Sequence, residues 1–274
     1  MDPLDPFSLR FMQLAAAEVA LLSVLAGVLG AQIVLRGLAF FSHALGAGAF
    51  PGLVLASAWG IQPQLAALGT GGLFAGGLER LTRGGRLATD SATALLMVGA
   101  LALGVVLASD VFASDAGVDQ LLFGTLIGIG EEELLATGVA AGAVAVIWLA
   151  LRRIWVATAF DSAGAASSGM PVIAGDWLLL GAIALAVVAA VDAVGSLLVA
   201  AVLVVPAATA RVLSGSVRGI ELGAFALALG EGLAGLWLAF ELDVPPGPAI
   251  AVLSGIVFAL VAATAAWGRR GGAR

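Results

Sequence analysis

Nine apolar runs, with arginine gathered in every second connection, limit this chain to one class of fold. The runs cover residues 14–35, 38–61, 65–78, 92–108, 134–151, 177–191, 194–210, 220–240 and 249–267. A helix that crosses a bilayer takes about 20 mostly apolar residues. Nine of them take about 180 of the 274 positions, and the rest is divided among short loops with no room for a separate soluble domain. The composition agrees, with 61% hydrophobic and only 11% charged residues. A soluble domain carries about 25% charged residues. The expected fold is therefore an all-α, polytopic membrane protein with about nine transmembrane helices, surrounded by the lipid bilayer.

Topology follows from the placement of arginine. With the N-terminus outside, Arg36, Arg80, Arg83, Arg86, Arg152, Arg153, Arg211, Arg218, Arg269, Arg270 and Arg274 all reach the cytoplasmic side. Asp110, Asp115, Asp119, Glu131, Glu132, Glu133, Glu241 and Asp243 fall outside. That is the cation bias of membrane topology, and the opposite orientation would export nearly every Arg. Arg10 is the exception. The runs at 65–78 and 177–191 are weak, and 121–130 is too short to span, so it is expected to be a re-entrant or interfacial piece.

Several function classes fall away on composition. Cysteine is absent, which excludes disulfides, thiol catalysis and Cys-ligated zinc. All twelve cationic residues are Arg, and without a lysine no P-loop can form, so ATP hydrolysis is not expected of this chain. A net charge of −6 offers no basic field, so nucleic acid is not an expected partner. The start, Met1-Asp2-Pro3-Leu4-Asp5-Pro6, lacks the basic region of a secretory signal, and no cleavage is expected. The 38 glycines suit close helix packing in lipid. No internal repeat stands out, which counts against a secondary transporter built from inverted halves. An intramembrane hydrolase is disfavoured as well. The sole histidine, His43, neighbours Ser42, and adjacent residues point apart on a helix.

Five stretches carry more than composition. They are Arg36-Gly37-Leu38-Ala39-Phe40-Phe41-Ser42-His43-Ala44-Leu45-Gly46 running on to Pro51-Gly52, Leu122-Phe123-Gly124-Thr125-Leu126-Ile127 before the three glutamates, and Ala159-Phe160-Asp161-Ser162-Ala163-Gly164 with Gly169-Met170-Pro171-Val172. Val194-Gly195-Ser196 leading to Pro206-Ala207-Ala208-Thr209-Ala210-Arg211, and Glu241-Leu242-Asp243-Val244-Pro245-Pro246-Gly247-Pro248, complete the set. In this order, over nearly the whole chain, they resemble the permease subunits of manganese/zinc/iron-type metal ABC transporters. The resemblance implies one permease domain over 1–274, with an outer segment at 1–13, a cytoplasmic coupling segment at 153–175 and a cytoplasmic tail at 268–274. It also implies an importer in the inner (cytoplasmic) membrane, made of two copies of the chain, ABC ATPase subunits and an extracytoplasmic substrate-binding protein. Phe160, Asp161 and Gly169 would then belong to the coupling helix, and no cofactor is implied for the chain itself. The plain reading of 160–172 is a connecting loop. Pro206 is expected to kink or break its helix, because it lacks an N–H and clashes one turn back.

Ionisable residues deep in apolar runs are costly and mark candidate sites. His43 lies early in the second run, Asp192 at the junction of the sixth and seventh, and Glu231 near the middle of the eighth, with Glu18 a weaker candidate nearer the outer surface. An imidazole and two carboxylates suit zinc or manganese better than copper(I). Packing roles serve equally well for each: a satisfied histidine, a solvated helix end, a carboxylate paired with an Arg. The resembled family carries an Asp at the position of His43 and a His four residues on, where this chain has Ala47. Three substrates thus stay open: a bare ion at an altered site, a chelated or different metal, and a solute that is not a metal.

Overall fold

The computed structural model describes residues 5–82, 88–111, 124, 126–196 and 198–271. Among the described residues nine long helices match the nine apolar runs: α1 (Arg10–Leu35), α2 (Ala39–Trp59), α3 (Pro63–Thr82), α4 (Thr89–Val106), α5 (Glu131–Phe160), α7 (Val172–Val194), α8 (Val199–Leu213), α9 (Val217–Leu242) and α10 (Pro246–Gly271). A six-residue helix, α6 (Ser162–Ser167), joins α5 to α7. Seven of the nine are long and apolar enough to cross a membrane. The others are α3, which is glycine-rich and weakly apolar, and α8, which has only 15 residues. Arg83, Arg86, Asp115, Asp119, Leu122, Phe123, Thr125, Leu197 and Arg274 lie outside the described residues.

Helix ends are set by local chemistry. Asp161 caps α6 by accepting from the Gly164 N–H at 2.8 Å, and Ser216 caps α9 by accepting from Gly219 at 3.1 Å. Gly60 closes α2 with φ +64, a left-handed turn that a side chain would resist. Several ends differ from the apolar runs. The fifth helix continues nine residues past 151 to Phe160, and the sixth extends from 177–191 to Val172–Val194. The segment 153–175 therefore includes the last turns of α5 and the first of α7, and the tail is helical through Gly271. The run 194–210 is interrupted: α7 stops at Gly195, whose φ is +81, and α8 starts only at Val199. Pro206 does not end α8, which goes on to Leu213; the break comes at the glycine.

The bundle is built around α1, which packs on α5, α8 and α9. Its most apolar stretch is 61% buried, against 11% for α10. A second group joins α2 to α3 and α4, and reaches the first through α7 and α8. Polar ties fix which ends coincide. Arg10, at the start of α1, pairs with Glu131 at the start of α5, and the Phe11 and Phe240 rings stand 6.4 Å apart. At the opposite end Arg36 bonds Asp176 on α7, and Arg211 donates to the Val34 carbonyl at 2.9 Å. Arg10 thus sits among the carboxylates at one end, paired with one of them, while Arg36, Arg152, Arg211 and Arg218 gather at the other.

Candidate functional site

Three pieces of chain converge inside the bundle at the α7–α8 break. The first is α2, whose small residues allow close approach. A Cβ on Gly46 would lie 2.5 Å from the Ser196 carbonyl oxygen, so only glycine permits this contact. The second is the break itself, where Gly195 and Ser196 are buried although they are not helical. Non-helical backbone at membrane depth is tolerated only where protein covers it or it lines a cavity. The third is the chain at Gly124 and 126–130. Gly124, with φ +77, presses on the backbone of Ala193, Val194 and Gly195, while Leu126 and Ile129 enter the core. The short piece at 121–130 is thus packed into the bundle over its described part.

His43 precedes Gly46 by three residues on α2, one turn away, and is half-buried. Asp192 lies four residues before Ser196, in the last turn of α7 as it leads into the break; its side chain lies outside the described part. These two expected residues therefore flank one contact. Glu231 belongs elsewhere. Its helix α9 packs on α1, α8 and α10, and a Cβ on its neighbour Gly232 would lie 2.5 Å from Val19 Cγ1. Glu231 is 6% exposed and Glu18, one residue from Val19, is 1% exposed. Glu18 is thus a core residue, although it lies only two turns into α1. The Ser254 hydroxyl on α10 faces the Glu231 carboxylate without closing a hydrogen bond of normal geometry. Among the described residues no three His, Asp or Glu side chains gather as a metal would require. Ala47, at the position where the resembled family carries a His, is fully buried.

The Arg-rich end carries a polar node that pattern reading did not single out. Arg36 Nη1 donates to Asp176 Oδ1 at 2.6 Å, and its Nη2 donates to the Trp155 carbonyl at 3.0 Å and to the Thr158 hydroxyl. Trp155, fully buried, donates its indole N–H to the Gly175 carbonyl at 2.9 Å. One guanidinium thus joins α1, α5 and α7 just above α6. The planar donor fork of Arg suits such divided bonding. The sequence shows Arg36 only as another basic loop residue; its distance from 155–176 conceals the role. Below the node, Phe160 is 70% and Ile173 77% exposed, and Gly169 turns the chain with φ +79.

Over residues 8–265 the sequence matches the ABC 3 transport family. The chain belongs to that family. It is 30% identical over 254 residues to the manganese transport system membrane protein MntC of Halalkalibacterium halodurans, covering 92% of this chain and 87% of the relative. The chelated iron transport system membrane protein YfeD of Yersinia pestis is 29% identical over 254 residues, covering 93% and 85%. Among solved structures, PsaBC from Streptococcus pneumoniae in complex with Fab has the same fold, with a TM-score of 0.84 over 92% of this chain and 91% of that one at 24% identity. As an ABC 3 permease the protein is a multi-pass membrane transport subunit, not an enzyme. Its Pro-Ala-Ala-Thr-Ala-Arg segment has a packing logic. Ala207 fits against Gly30, Ala210 against Gly223, and Arg211 reaches the end of α1.

Proposed function

We propose that this permease is the membrane subunit of an ATP-driven importer for a divalent metal ion, zinc or manganese. Two copies form the path in the inner membrane, separate ATPase subunits dock at the cytoplasmic end, and an extracytoplasmic binding protein delivers substrate to the acidic end. The observation that carries the substrate class is the 30% identity with a manganese permease across 92% of the chain. The observation that supports ATPase docking is local. Between two long helices, a capped six-residue helix stands at the Arg-rich end with apolar Phe160, Met170 and Ile173 exposed beside it. Exposed apolar clusters of this kind mark protein contacts. The bare apolar faces of α4 and α10 leave area for a second copy.

His43, Asp192 and Glu231 remain the proposed contacts for the ion, with His43 and Asp192 at the α7–α8 break and Glu231 on the α1 side. Imidazole and carboxylate together suit zinc and manganese. A second reading, a chelated metal, is favoured by two observations: Ala47 offers no ligand, and the relative YfeD is named for chelated iron. A single reconstitution tests both. Proteoliposomes holding the permease and its ATPase subunits should take up manganese or zinc only with ATP. Uptake without the ATPase would make it a secondary transporter, and uptake of a chelate alone would select the second reading.

A further inference from the structure

A groove of about 320 Å3 runs along α1 where α5 and α9 flank it, at the Arg-rich end of the bundle. Its walls are apolar, from Val24 and Val28 on α1 to Leu222 and Phe225 on α9. Its mouth is not. Arg152 on α5 and Arg218 on α9 stand there with one carboxylate, Glu221. Trp148 donates its indole N–H to Glu221 Oε1 at 3.2 Å, and the Arg152 guanidinium carbon lies 4.9 Å from the centre of the Trp148 ring. Two guanidiniums facing one carboxylate leave one positive charge in excess. The charge lies at the membrane face, because Arg218 is the second residue of α9, while Phe225 sits two turns deeper.

We propose that this groove holds an anionic phospholipid of the cytoplasmic leaflet. Its phosphodiester lies between Arg152 and Arg218, and one acyl chain follows Val24, Val28, Leu222 and Phe225. The charge selects this occupant. Arg pairs match phosphate oxygens, and basic pockets between membrane helices on the cytoplasmic side favour anionic headgroups. A Trp held at this level is the usual interfacial anchor. An apolar helix from a partner would leave the excess guanidinium unmatched. The bound lipid would tie α5, which leads into α6, to α9, whatever solute the permease carries.

The test is native mass spectrometry of the purified full-length chain titrated with phosphatidylglycerol or phosphatidylcholine. Wild type should retain phosphatidylglycerol in preference, and the preference should fall about fivefold for each Arg replaced in Arg152→Gln and Arg218→Gln. Glu221→Gln, which keeps an acceptor for Trp148, should strengthen retention. That gain cannot come from misfolding, so it decides the matter if the Arg variants do not assemble. Equal retention of the two lipids by wild type, or no change in Glu221→Gln, overturns the proposal. Displacement of the lipid by excess soluble glycerol phosphate overturns it too, since the site would then hold a free anion.

Discussion

Arg36 and Asp176 are 140 residues apart and form an ion pair at the Arg-rich end of the bundle. The Arg36 side chain is 13% exposed and that of Asp176 44%, so the pair is shielded on one partner only. Because Arg36 also serves two groups on α5, the two residues are not equivalent. Arg36→Gln should destabilise the detergent-extracted protein by about 1.5–3 kcal/mol, in line with hydrogen bonds to a charged group. Asp176→Asn should cost less, because its partner keeps the Trp155 and Thr158 acceptors. Thermal unfolding of both variants checks this ranking. Equal losses would mean that the ion pair alone matters.

Changes around α6 should separate hydrolysis from transport. Asp161→Ala removes the cap on Gly164, worth about 1 kcal/mol to a helix of this kind. Gly169→Val forces a branched residue to φ +79. Both variants, with Phe160→Ala, should insert and assemble, yet hydrolyse ATP with little substrate movement. Normal uptake in all three would reduce the segment to a linker.

At the proposed ion contacts, His43→Ala and Glu231→Gln should each lower metal uptake without a matching loss of assembled protein. Placing a second histidine one turn above His43 is a different matter. Ala47 is fully buried, and Ala47→His should cost about 1–3 kcal/mol by overpacking. Paired with His43→Asp, it should shift metal preference only in the fraction that still assembles. Uptake assays normalised to monodisperse protein on size exclusion separate the two effects. Full uptake by Glu231→Gln and His43→Ala would remove both from the path.

The orientation is open to direct labelling, since the chain has no native cysteine. Ser167→Cys should react with an impermeant thiol reagent only in opened cells, and Glu132→Cys in intact ones. Ser167 lies in exposed α6 and Glu132 in the exposed first turn of α5, so both are accessible. Labelling of both in intact cells would break the nine-span threading.

Helix number and class were legible because apolar length is a strong one-dimensional signal. Boundaries were less so. Arg152 and Arg153 look like the end of a span, yet α5 runs to Phe160, because Trp155 and Thr158 are held by partners far along the chain. The interruption near 195 was hidden for a related reason. Val194, Gly195 and Ser196 sit in a run that stays apolar throughout, and proline at 206 is the louder signal for a break. Glycine with φ +81 made the break instead, while Pro206 was accommodated within α8. The candidate contacts were legible as residue types and not as a cluster. Spacing along the chain says nothing of whether α2 and α9 face the same interior, and here they pack in different groups.

The shortness of α8 bears on how tightly this protein closes its membrane. Fifteen residues rise about 22 Å, while the hydrocarbon layer is about 30 Å thick. Above the break, insulation is supplied by the inserted turn carrying Leu126 and Ile129, not by a continuous helix wall. The seal is therefore a stopper, held in place by side-chain packing. Loosening it should raise the background ion leak of a resting bilayer, even where the substrate path is untouched.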